Sequence, residues 1–115
     1  MFFDTRVENH ARIYTDECKA YLEQATDKPL LLDVREPWEY EIVRLEHSRL
    51  VPMRTIPQQA GSLDPEQETI VICHHGIRSR MVAGFLEGNG FTNLINLRGG
   101  LDAWARDTDT QMATY

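Results

Sequence analysis

The chain has 115 residues, 42% hydrophobic and 26% charged, which suits one ordinary globular domain and leaves no room for a second core. Its formal net charge of −6 discourages nonspecific binding to nucleic acid or anionic lipid. MFFDTRVENH carries an early acid and no long apolar run, so neither a secretory signal nor a membrane span is expected, and the cytoplasm is the expected location.

In chain order, YTDECKAYLEQATDK places Thr15 as an N-cap and sets Cys18, Tyr21, Leu22 and Ala25 at helical spacing, which predicts a helix from about Asp16 to Ala25. Leu30 to Val34 is a short continuous apolar run, the pattern of a strand covered on both faces. Pro37 opens a short helix, PWEYEIVRL. LVPM reads as a brief strand, RTIPQQAGSL as a short interrupted helix and LDPEQE as a polar turn.

TIVICH is the clearest strand, rich in β-branched residues. Arg78 to Gly88 follows as a helix with Met81, Val82, Phe85 and Leu86 as its apolar stripe. A strand near Asn93 to Asn96, a tight Gly99-Gly100 turn and a last helix bearing Trp104 complete the pattern. The expected domain is single and spans 1–115, with a core over about 13–106 and a polar, loosely held tail over 107–115. Alternating strands and helices imply an α/β fold with a mainly parallel sheet and helices on both faces, where ligands bind at the carboxyl ends of strands. No glycine pattern matches a nucleotide-binding fingerprint.

The chemistry concentrates in CHHGIRSR, Cys73 to Arg80, at the carboxyl end of the best strand. Three readings compete. A metal site is disfavoured because Cys73, His74 and His75 are adjacent rather than at ligand spacing, and Cys18, His10 and His47 have no evident link to them. A buried structural thiol would suit the end of an apolar strand, but a core cysteine needs no flanking HHGIR turn. An activated nucleophile fits best, since a helix N-terminus and nearby arginines favour a thiolate. With no sign of export, Cys18 and Cys73 are expected to be free thiols, and Cys18 to be a core residue.

LLDVREPWEYE, ICHHGIRS and NLRGGLDAW, in this order and spacing, resemble the rhodanese family of sulfurtransferases in its single-domain form, over about Ile13 to Arg106. The resemblance implies a three-layer fold with a mainly parallel five-stranded sheet flanked by helices. It implies Cys73 as catalytic nucleophile, with a loop of His74, His75, Gly76, Ile77 and Arg78, then Ser79, around the substrate. The implied reaction moves a sulfane sulfur from a donor such as thiosulfate onto Cys73 as a persulfide, and then to cyanide or a thiol, without cofactor or metal. Thiosulfate, glutathione persulfide and a partner protein's cysteine stay open as partners. The resemblance makes Asp33 and Arg35 mainly architectural.

Gly76 suits a sharp turn around the sulfur, and Arg78 suits either an oxyanion donor or a brace for the loop. The nearest alternative is a phosphatase or arsenate reductase, whose related folds use a loop one residue longer. Here the sixth residue after Cys73 is Ser79, not arginine. A non-catalytic partner-binding module is the other alternative. Where the family often has Gly-His-Ile-x-Gly, this chain has Val43 to His47, which puts the shape of that loop in question.

Overall fold

The computed structural model describes residues 11–115, so the readings of MFFDTRVENH and His10 lie outside the described residues. Five strands pair in parallel: β1 (Ala11–Ile13), β2 (Leu30–Asp33), β3 (Arg49–Leu50), β4 (Thr69–Ile72) and β5 (Leu94–Leu97), in the spatial order β1-β5-β4-β2-β3. The helices are α1 (Thr15–Gln24), α2 (Pro37–Ile42), α3 (Ile56–Gln59), α4 (Ile77–Gly88) and α5 (Gly100–Ala103). Turns of 3-10 helix flank α3, and a π turn over Trp104–Thr108 extends α5. Among the described residues no helix is long and apolar enough to cross a membrane.

The central strands are apolar without alternation because both of their faces are covered. Successive side chains go to opposite faces of the sheet. Leu32, Val34, Val71 and Cys73 enter one cluster with Val82, Ala83 and Leu86 of α4. Leu31, Ile70 and Ile72 enter the other with Cys18 of α1, Leu101 and Trp104. Strand parity therefore places Cys73 beneath α4.

Helix boundaries follow local chemistry. The α1 helix begins one residue early, with Tyr14 rather than Thr15 at the N-cap, because the Tyr14 N–H donates to Glu17 Oε1 at 3.2 Å. Glu36 caps α2, its N–H donating to Glu39 Oε2 at 2.9 Å, and Pro37 takes the first helical position, where no N–H is needed.

The structure departs from the sequence reading in two places and adds to it in two. β1 is a strand that the sequence reading did not single out, because three residues carry too little pattern. The α4 stripe divides: Val82 and Leu86 are buried, whereas Met81 and Phe85 are exposed. Trp104 is a core residue, whereas Trp38 is 59% exposed and meets the Tyr115 ring edge to face. The tail is also not loose. Thr108 Oγ1 donates to Thr15 Oγ1, Asp109 N–H to the Trp104 carbonyl and Met112 N–H to the Asp109 carbonyl, while Met112 packs on the second core cluster.

Candidate active site

At the end of β4 the chain turns sharply and docks on the start of α5. The Leu101 N–H donates to the Cys73 carbonyl at 3.0 Å and the Asp102 N–H to the His74 carbonyl at 2.9 Å. This approach requires Gly100: with φ at +62°, a Cβ there would lie 2.4 Å from both carbonyl oxygens. The loop then turns at Gly76, whose φ of +96° is in the left-handed region, and enters α4.

The turn wraps the sulfur. Cys73 Sγ accepts the N–H groups of Gly76 at 3.0 Å and Ser79 at 3.3 Å, and its own S–H donates to Ser79 Oγ at 3.3 Å. The buried Ser79 hydroxyl donates in turn to Asn96 Oδ1 of β5 at 2.5 Å. Two amides aimed at one sulfur at a helix N-terminus stabilise negative charge there. The thiol is buried, as the end of an apolar strand would be, and not presented at the surface. Cys73 is 1% exposed and shares the core cluster of Val71. Ile77, by contrast, is 67% exposed.

Arg78 turns to α2, where its two terminal nitrogens donate to Glu39 Oε2 and Oε1 at 2.7 and 2.8 Å. Of the two uses open to Arg78, the geometry shows the brace. The bidentate guanidinium holds the Glu39 carboxyl down at about 2, against the opposing effect of burial, and the same bonds raise Arg78.

Asp33 and Arg35 form a fully buried bidentate pair, Nε to Oδ1 at 2.9 Å and Nη2 to Oδ2 at 2.7 Å. Arg35 also donates to the carbonyls of Glu39 and Val43, tying the end of β2 to both ends of α2. The loop that lacks Gly-His is thus anchored at Val43, and its exposed His47 adopts φ +68°.

His74 and His75 contact each other edge to face, with ring centroids 4.1 Å apart. Burial, and then the neighbouring His75, lower the His74 pKa, which favours the neutral ring. Asp102 of α5 joins them: one donor atom from each of the three lies within 4.8 Å of the others, and His75 Nε2 is 3.9 Å from Asp102 Oδ2. These are the residues that could offer ligands to a cation. The sequence spacing gave no sign of Asp102.

Sequence reasoning also missed Glu39, Asn96 and Tyr115. The Tyr115 ring lies 4.2 Å from that of His74, and its hydroxyl donates to Glu39 Oε1 at 2.9 Å while accepting from Arg35 Nη1 at 3.0 Å.

A parallel sheet of this order, with a cysteine loop closing onto a helix N-terminus, defines a class of α/β domain, and the comparisons identify it. The model of the rhodanese-like domain matches residues 15–107, and the chain belongs to that family. It is 38% identical over 93 residues to rhodanese-like/PpiC domain-containing protein 12, chloroplastic, of Arabidopsis thaliana, covering 77% of this chain but only 31% of the plant protein. It is 32% identical over 81 residues to a protein named sulfurtransferase from Allochromatium vinosum, covering 70% of this chain and 76% of that one. Among solved structures, a rhodanese-like domain protein from Staphylococcus aureus superposes with a TM-score of 0.78 at 30% identity, covering 91% of this chain and 98% of that one.

Proposed function

We propose that the protein is a sulfurtransferase that carries a sulfane sulfur on Cys73. The observation that carries this reading is the convergence of the Gly76 and Ser79 N–H groups on Cys73 Sγ, which suits a sulfur anion as nucleophile and again as leaving group. The relative named sulfurtransferase supports the same reaction class.

In the first step the Cys73 thiolate attacks the outer sulfur of thiosulfate. A Cys–S bond forms, the S–S bond of the donor breaks, and sulfite leaves with the electron pair. In the second step cyanide or an acceptor thiolate attacks the outer persulfide sulfur, and the electron pair of the broken bond returns to Cys73 as thiolate. The loop amides stabilise both anions. Electron pairs only change partners, so no external oxidant or reductant is required.

Arg78 is held by Glu39, which leaves the loop without the free guanidinium that a phosphate cradle would use. The test is incubation with thiosulfate followed by intact mass measurement. The wild type gains one sulfur atom and Cys73→Ser gains none. Absence of loading from every sulfane donor tried would leave a binding module, and hydrolysis of a phosphate ester would bring back the phosphatase.

A further inference from the structure

Tyr115 sits where the polar tail meets the cysteine loop, and its position is set from several sides. Met112 packs the segment on the second core cluster, and the ring of Tyr115, a residue 37% exposed, lies beside the cysteine loop. On one side it is tilted 35° over His74, the residue after the nucleophile. On the other it meets the exposed Trp38 of α2 edge to face, with centroids 5.7 Å apart at 74°.

The hydroxyl is used twice, as donor to Glu39 and as acceptor from Arg35. Both partners are themselves fixed, Glu39 by Arg78 and Arg35 by Asp33. Burial raises the Tyr115 pKa and, together with the Glu39 bond, outweighs the lowering effect of Arg35, and the net rise keeps the donating proton in place. The space left beside the ring, bounded by Val43, His74, Leu101 and Asp102, is about 10 Å³. That is room for about one water molecule, so the ring occupies most of the cleft on this side of the loop.

We propose that Tyr115 is a specificity-determining residue of the Cys73 site. Its ring is a fixed wall that admits small inorganic sulfane donors of thiosulfate size and hinders peptide-sized donors. This rests on the sulfur-transfer reading. The ring supplies the bulk, and the two hydrogen bonds keep it from swinging aside. Both donors need the same thiolate, so a change that acts only through folding or thiol reactivity slows them equally. A change in the wall alters their ratio.

The test measures loading of Cys73 by intact mass with thiosulfate and with glutathione persulfide, using the full chain as wild type, Tyr115→Phe, Tyr115→Leu and Tyr115→Ala. The wild type loads faster from thiosulfate. Removing the ring in Tyr115→Ala raises the ratio of glutathione persulfide to thiosulfate loading about tenfold, a typical size for a steric filter. Tyr115→Phe, which keeps the ring, stays near the wild-type ratio. Tyr115→Leu falls between, and it carries the test if the alanine variant does not fold. An unchanged ratio in both Tyr115→Ala and Tyr115→Leu overturns the proposal, as does a wild type that already prefers the larger donor. A shift in Tyr115→Phe as large as that in Tyr115→Ala assigns the effect to the hydroxyl and overturns it too. A wild type that loads from neither donor refutes sulfur transfer itself, a result separate from loading with an unchanged ratio.

Discussion

The Glu39→Gln variant tests whether the Glu39–Arg78 pair holds the cysteine loop in place. Glutamine keeps an oxygen for the Tyr115 hydroxyl but presents an amide to a guanidinium that can only donate. Glu39 is 4% exposed and Arg78 33% exposed at the side chain. Breaking a fully buried ion pair costs about 3 to 5 kcal/mol, and partial hydration of Arg78 reduces this to about 2 to 3 kcal/mol. The pKa gives a similar upper figure, since lowering the carboxyl from 4.5 to about 2 corresponds to roughly 3 kcal/mol.

The sign with pH follows from the depressed folded-state value. The stabilisation is fully present above about 4.5 and is lost as pH falls through about 2. Urea denaturation of both proteins at several pH values is the assay. The wild type is more stable than Glu39→Gln by about 2 to 3 kcal/mol at pH 7, and the gap narrows steadily between pH 4.5 and pH 2. A gap below about 0.5 kcal/mol at neutral pH, which is typical of a surface pair, or a gap that does not narrow in acid, would refute the argument.

Two further predictions concern the backbone and the second thiol. Gly100→Ala puts a Cβ against the Cys73 and His74 carbonyls at a left-handed φ and destabilises the fold by about 3 kcal/mol, read by thermal or urea unfolding; near-wild-type stability would contradict the close approach. Burial pushes the Cys18 thiol up to about 11 from 9.0, so the protein loses stability as pH rises from about 9 through about 11, and Cys18→Ala shows a shallower loss; parallel curves for the two proteins would count against it.

Most of the sheet was legible because its central strands are fully covered. Ile70, Val71 and Ile72 read as a strand on composition alone, and the turn after Cys73 was marked by Gly76 and the start of a helix. β1 was not, because Ala11, Arg12 and Ile13 at the sheet edge are neither continuously apolar nor alternating. The loop from Cys73 to Ser79 was visible as a local cluster of chemistry.

The residues that hold the loop were not visible, since each acts across a long separation. Glu39 reaches Arg78 from α2, Asn96 reaches Ser79 from β5, and Asp102 approaches His75 only because α5 docks on the loop carbonyls. In the one-dimensional pattern Glu39 is an ordinary helix acid and Asn96 an interruption of an apolar strand. The tail misled for the opposite reason. Its polar composition suggested mobility, but Met112 and Tyr115, three residues apart, hold it to the domain.

Cys18 and Cys73 lie in core clusters on opposite faces of the sheet. A disulfide needs the two Cα atoms within about 7 Å and their side chains directed at one another, which a strand layer between them prevents. The chain therefore has no internal thiol able to strip a sulfur atom from Cys73 by closing a disulfide. If Cys73 carries a sulfur atom as proposed, its release depends on a nucleophile from outside the chain, and the lifetime of that loaded form would be set by which acceptor reaches the loop and not by the fold's own redox chemistry.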